Sequence, residues 1–347
     1  MERSPLHQQV DTLPDLLRAT IDPFVQAIGA VLPPSLCANL QRVFVTGCGD
    51  SHHAAVNAEL AFEELAGLPC EALTAMHFSR YKAGYLPDTG RGTNLVLAVS
   101  VSGQVSRTVE ALDLARRAGA TAVAVTASPN SPLAEVARHV LVTSVPPLPD
   151  ELAGLVVPGT RSYVASQLAL YLCAIHIGQQ RGHLAPAKAN TLRREVAGAA
   201  DLMEQTIAAD DPVVRQTAEA WREADHFVYC GAGPNYGTAL FSAAKLLEAS
   251  GDVAIARDTE EWAHLEYFAR EAATPTFLIS AGGGDESRAL EVAVAAQSIG
   301  RRVAIIAPIN SALAQSRHKD VLLPLAGSIR ECFSPLLACL PGTLFAA

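Results

Sequence analysis

The sequence predicts an α/β protein of two tandem αβα sandwiches with parallel sheets, on three observations. Apolar runs of strand length alternate with longer helical patterns. The strand runs are continuously hydrophobic, as strands covered on both faces of a parallel sheet must be. The same order of motifs then occurs a second time. The length agrees, because 347 residues suggest about two domains. The composition is 50% hydrophobic, 5% aromatic and 18% charged, which describes a large Ala/Leu/Val core and excludes disorder.

In chain order, residues 1–40 read as an N-terminal helical arm, with helical spacing over 8–31. A first α/β domain occupies 41–182. Its strand runs are RVFVTGC (42–48), NLVLAVS (94–100), TAVAVTA (121–127) and RHVLVTS (138–144), separated by the helical patterns SHHAAVNAELAFEELAG and SRTVEALDLARRAG. The latter ends on Gly119, a usual helix stop before a strand. Residues 183–225, rich in Ala, Arg and Glu, read as connecting helices. A second domain, 226–347, repeats the runs as HFVYCGA (226–232), TPTFLISA (274–281), RRVAIIA (301–307) and DVLLPLA (320–326). Gly47, Gly49 and Glu64 align with Gly231, Gly233 and Glu248 at an offset of 184 residues. Ser106-Arg107 aligns with Ser287-Arg288 at 181, and Asn130-Ser131 with Asn310-Ser311 at 180. So slow a drift indicates two copies of one domain that differ by short loop deletions.

Several function classes are excluded. With 26 basic against 35 acidic residues, net −9, and no Lys/Arg run, the chain is not expected to bind nucleic acid. Its seven cysteines (Cys37, Cys48, Cys70, Cys173, Cys230, Cys332 and Cys339) never form a CxxC. They predict a reduced, cytoplasmic protein without disulfides or a metal. No signal-peptide core precedes the arm, and the longest apolar stretches fall short of the ~18–20 residues that span a bilayer. No membrane partner is expected.

In open parallel sheets, ligands bind beyond the carboxyl ends of the strands. Two turns of the first copy stand out there: Gly47-Cys48-Gly49-Asp50-Ser51 and Ser100-Val101-Ser102-Gly103-Gln104-Val105-Ser106. Small residues let backbone N–H groups approach a ligand, hydroxyls add donors, and the following helix N-terminus favours an anion. Gly159-Thr160-Arg161-Ser162 adds hydroxyls and a cation at a third helix start. Cys48, Gly49, Asp50, Ser51, Ser100, Ser102, Ser106 and Thr160 are therefore candidate phosphate- or substrate-binding residues. Each turn alone also fits a structural Gly or an N-cap Ser. Neither turn is a Rossmann GxGxxG with a downstream acid or a Walker GK(S/T), so no nucleotide cofactor is expected. The second copy has lost these serines, and only the first is expected to hold phosphate.

The tandem arrangement, GCGDSHHA, the SxSG turn and KLLEAS resemble the sugar isomerase (SIS) domains, from about residue 8 to the end. Among these the chain is similar to the isomerase half of glutamine–fructose-6-phosphate aminotransferase and to stand-alone sugar-phosphate isomerases, deaminases and deglycases. The resemblance implies a pair of flavodoxin-like αβα sandwiches that form a homodimer with sites at the interface. It implies sugar-phosphate binding at Ser51, Ser100, Ser102 and around Thr160, and C1–C2 proton transfer by Glu248 with Lys245 one turn earlier. It also implies sugar-ring opening by His264 from the neighbouring subunit, with no cofactor. The spacing suits this, since Lys245 and Glu248 at i, i+3 share a helix face. A salt-bridged surface pair and a loop histidine are the plainer readings. Glu260 and Glu261 read as solvated or helix-capping, with Glu261 also able to touch the ligand, and His52 and His53 as structural. Trp262 and Tyr267 read as packing or dimer contacts.

The sequence departs from the family pattern at four places. No glutaminase domain precedes the arm, so glutamine-dependent amination is not expected. Asp50 stands where the family has Thr, and Val105 where it has a phosphate-binding Thr. The tail that closes over the sugar in relatives is shortened. Together these predict a phosphosugar isomerase or amino-sugar-phosphate deaminase with an altered substrate. A non-catalytic sugar-phosphate sensor and a deglycase of glycated amino acid phosphates remain as alternatives.

Overall fold

The computed structural model describes residues 3–87, 90, 92–148, 150, 157–270 and 272–347. Two compact units divide the chain: Asp15–Pro147 with Arg161–Ala197, and Met1–Pro14 with Leu148–Thr160 and Gly198–Ala347. They are called here the first and the second unit.

The first unit carries helices α2 (Leu13–Val31) and α3 (Pro34–Cys37), reached from the second unit's α1 (Pro5–Asp11). Its sheet is formed by β1 (Arg42–Gly47), β2 (Cys70–Thr74), β3 (Asn94–Val99), β4 (Thr121–Thr126) and β5 (His139–Val142). All neighbours are parallel, in the order β2-β1-β3-β4-β5. Helices α4 (Asp50–Ala61), α5 (Ala75–His77), α6 (Ser106–Arg117), α7 (Pro132–Val136) and α8 (Arg161–Gln180) complete it. Every residue of β3 and β4 is buried, as continuous apolar runs require of central strands.

Besides α1, the second unit takes the later part of α9 (Pro186–Trp221), one long helix where the sequence suggested several. It continues through β6 (His226–Gly231), α10 (Pro234–Ser250), β7 (Val253–Asp258), α11 (Thr259–His264), β8 (Pro275–Ile279), α12 (Glu286–Ser298), β9 (Arg302–Pro308), α13 (Ala312–Gln315), β10 (Val321–Leu325) and α14 (Pro335–Ala346). Its sheet is again parallel, in the order β10-β9-β8-β6-β7. Counted within the unit this is the same 2-1-3-4-5 arrangement as the first sheet, the flavodoxin-like order of doubly wound folds.

The repeat extends to atomic detail. Gly49 has φ 54° and ψ −130°; its counterpart Gly233 has φ 51° and ψ −130°, a turn that a side chain at either position would strain. At Gly47 a Cβ would meet Ser51 at 2.8 Å, and at Gly231 it would meet the Asn235 carbonyl oxygen at 2.3 Å. These glycines let the following helix turn back onto its strand. The repeated Asn-Ser pairs are also structural: Ser131 Oγ accepts from the Ala134 N–H at 3.4 Å and Ser311 Oγ from the Ala314 N–H at 3.0 Å, capping α7 and α13.

Two strands escaped the sequence reading, β2 and β7, and both are sheet edges. They are only partly buried, and their runs CEALT and VAIARD carry charged residues, unlike those of the opposite edges β5 and β10, which stay mostly apolar. Glu71 of β2 pairs with Arg42 at 3.0 Å and Lys82 at 2.7 Å. Among the described residues no helix is long and apolar enough to cross a membrane.

One buried group works against the fold. Asp210 of α9 is fully buried, and neither carboxyl oxygen has a hydrogen-bond partner among the described residues. Burial pushes its carboxyl up to about 8. A folded value raised above the unfolded one means stability present near pH 4 and lost as pH rises through 8. Asp210→Asn is therefore expected to stabilise the protein at pH 8–9 by about 1–3 kcal/mol, a few degrees in melting temperature, and little at pH 4. Parallel pH–stability curves for the two proteins would refute this account.

Candidate functional site

In the 2-1-3-4-5 order the chain reverses direction between β1 and β3, which opens a crevice beyond their carboxyl ends. The two candidate turns of the first unit follow these strands. After β1, Cys48 and Gly49 are exposed and Ser51 half-buried. The His52 and His53 N–H groups turn back onto the Gly49 carbonyl at 2.9 and 3.0 Å. After β3, Ser100 is buried, and its Oγ has no hydrogen-bond partner among the described residues. Ser102 and Ser106 are exposed, and Ser102 Oγ accepts from the Gln104 N–H at 3.3 Å. The N-caps of α4 and α6, Gly49 and Val105, give no side-chain capping bond. Uncapped N-terminal N–H groups favour an anion. Asp50 stands in the first turn of α4, with His53 Nδ1 3.6 Å from its Oδ1. Burial, and then His53, push His52 down to about 4, so it is neutral at pH 7.

The third turn differs from expectation. Arg161 is buried and its Nη2 donates to the Pro146 carbonyl at 2.6 Å, which takes the anticipated cation into backbone contacts. Thr160 groups with the second unit. It is buried, and its N–H and hydroxyl donate to Gln9 Oε1 at 2.8 and 2.5 Å. Ser51, Ser100, Ser102 and Ser106 thus lie on the turns that follow β1 and β3 in the first unit, whereas Thr160 groups with the second unit and is held by Gln9.

In the second unit, α10 carries Lys245 and Glu248. Lys245 is fully buried, its Nζ 2.5 Å from Glu248 Oε2 and 5.1 Å from the Phe241 ring centre. The Glu248 side chain is 46% exposed. A buried ammonium therefore holds a carboxylate whose other face meets solvent, unlike a surface ion pair, where both partners are wet. His264, at the end of α11, is exposed, with Nε2 3.0 Å from Glu260 Oε1. Glu261 is exposed. Trp262 lies in the core packed on β6, β8 and β9, and the Tyr267 ring stands 6.3 Å from it.

The second unit's own crevice is filled. Glu331 accepts from the Gly284 N–H through both oxygens, at 3.3 and 3.2 Å, and a Cβ on Gly283 would lie 2.2 Å from the same carboxyl group. Beside it Ser280 donates to Asp285 at 2.7 Å; burial pushes Asp285 up to about 6, with Glu331 adding to the rise. The chain's own carboxylate thus takes the Gly284 N–H of this turn. Glu331, 47 residues beyond the loop it fills, gave no local signal in the sequence. Among the described residues no three or more His, Cys, Asp or Glu side chains are grouped as metal ligands would be.

Comparison with known proteins agrees with this layout. Residues 37–176 match the SIS domain model. A glutamine–fructose-6-phosphate aminotransferase of Gloeobacter violaceus is 30% identical over 346 residues, 98% of this chain and 54% of that protein; the chain thus spans about half the length of the curated relatives it matches. The solved C-terminal domain of glucosamine-fructose-6-phosphate aminotransferase from Francisella tularensis superposes with a TM-score of 0.83 at 18% identity, covering 99% of this chain and 95% of that one. A glucosamine-6-phosphate deaminase structure from Thermotoga maritima superposes with a TM-score of 0.71 at 20% identity, covering 99% and 93%. Residues 37–176 thus carry a SIS domain, and the second sheet repeats the strand order of the first.

Proposed function

We propose that this protein is a sugar-phosphate aldose–ketose isomerase or an amino-sugar-phosphate deaminase. The observation that carries this reading is the Lys245–Glu248 pair, a buried ammonium fixed against a half-exposed carboxylate. Such a carboxylate can remove a proton from carbon beside a carbonyl and return it to the neighbouring carbon. The phosphate is assigned to the turns bearing Cys48, Gly49, Ser51, Ser100, Ser102 and Ser106. His264 is assigned to ring opening, as a carrier of the proton between ring and hydroxyl oxygens.

For an isomerase, Glu248 moves one proton between C1 and C2 through an enediol, and no atom is gained or lost. For a deaminase, the same transfer turns a 2-amino aldose into a 2-imino ketose; water then adds at C2 and ammonia leaves. We further propose a homodimer, the assembly the resemblance implies. A sensor that binds sugar phosphate without turnover is the second reading, favoured by Asp50, a carboxylate in the helix turn that faces the anion.

Proton NMR in D₂O separates these readings, using hexose, pentose and amino-sugar phosphates and their unphosphorylated forms. The expected result is deuterium at C1 or C2 of one sugar phosphate, with ammonia release in the deaminase case. Thermal stabilisation by a sugar phosphate without any exchange would select the sensor.

A further inference from the structure

Glu260 occupies a more specific position than a solvated carboxylate. It precedes His264 by one helical turn on α11, and its Oε1 lies 3.0 Å from His264 Nε2. Arg288 of α12 grips the same carboxylate at both oxygens, Nε to Oε2 at 2.5 Å and Nη2 to Oε1 at 3.0 Å, and Arg288 Nη1 binds Glu291 at 2.6 Å. The helix beneath is anchored too. Asp258 Oδ1 accepts from the Glu260 N–H at 2.9 Å, which takes over the capping role the sequence offered to Glu260. Trp262, between the two residues in sequence, is fully buried in the core.

Hydrogen bonds from Arg288, and then His264, hold the Glu260 carboxyl below its usual range. An ionised carboxylate only accepts hydrogen bonds, so the ring nitrogen facing it must carry the proton, and in the neutral ring Nδ1 then holds the lone pair. We propose that Glu260, anchored by Arg288, is the positioning residue for His264: it fixes the ring and its Nε2–H tautomer and leaves Nδ1 as the nitrogen that exchanges a proton with ligand. The use of Nδ1 on a sugar oxygen rests on the isomerase or deaminase reading; the tautomer does not.

The test is ¹⁵N NMR of the whole protein labelled at its histidine rings, at about pH 9. The His264 signals are assigned by their loss in His264→Gln. The expected wild-type spectrum has Nε2 protonated and Nδ1 bare. Glu260→Ala relaxes to the mixture of tautomers of a free imidazole, Arg288→Met moves towards it, and Glu260→Gln, which keeps an acceptor oxygen, stays near wild type. Identical tautomer populations in wild type and Glu260→Ala would overturn the proposal. With a sugar phosphate that the wild type turns over, Glu260→Ala is expected to lower kcat about tenfold at unchanged KM, with partial recovery in Glu260→Gln. A tautomer change in a protein silent towards every sugar phosphate would uphold the positioning and remove only the catalytic reading.

Discussion

Glu248→Gln is expected to reduce C1–C2 hydrogen exchange on the sugar phosphate by about a thousandfold, within the range that general acid–base groups contribute. The amide cannot take a proton from carbon, yet it keeps an oxygen to accept from Lys245 Nζ, which lies 2.5 Å from the native carboxylate. Because Glu248 is 46% exposed at its side chain, the fold should survive, and the melting temperature should stay close to wild type. Loss of exchange with retained sugar-phosphate binding, read by calorimetry, is the predicted pair of results. Exchange at more than a tenth of the wild-type rate would exclude Glu248 as the base and move attention to other carboxylates.

Gly103→Ala is expected to cost about 2–4 kcal/mol, combining left-handed backbone strain with overpacking. Gly103 has φ 64°, and an added Cβ would lie 2.0 Å from Ser131 Oγ and 2.4 Å from Ser131 Cβ. Neither neighbour is free to retreat. Ser131 caps α7, and the Gly103 carbonyl accepts from the Leu133 N–H at 3.1 Å while its own N–H donates to Ser100 at 3.0 Å. The strain therefore falls on the turn that carries Ser100 and Ser102. Urea unfolding should show the stability loss, and affinity for inorganic phosphate should fall with it. Gly49→Ala is the comparison: φ is again positive, at 54°, but no atom lies within 4 Å of the new Cβ, so its cost should come from backbone strain alone, about 1–2 kcal/mol. Equal losses in the two variants would mean that the close packing on Ser131 contributes nothing.

The central strands, the helices between them and the internal repeat were legible in the chain because they rest on local properties. Continuous apolar runs such as NLVLAVS and TAVAVTA state their own burial, and the glycines of the strand-to-helix turns state where a helix must turn back closely. The serines after β1 and β3 were legible for the same reason, since a strand end names its own crevice once the sheet is parallel. Lys245 and Glu248 were visible as a pair, i and i+3 on one helix. That one partner is sealed and the other half-exposed depends on everything packed around α10, and only the folded protein could decide it.

Other features depend wholly on residues distant in sequence. The strands β2 and β7 were hidden because their runs CEALT and VAIARD carry charged residues, whereas the opposite edges β5 and β10 keep mostly apolar runs and were legible. Thr160 and Arg161 have the right residue types for a phosphate turn, but Gln9 and Pro146 claim their hydrogen bonds. Glu331 reaches back 47 residues to the Gly284 N–H, and Arg288 reaches 28 residues to Glu260. Pattern along a chain determines which segments are strands, helices and tight turns, because hydrophobic period and backbone conformation are local. Which polar groups meet is set by the packing of those segments, because a hydrogen bond acts over about 3 Å of space whatever the distance along the chain.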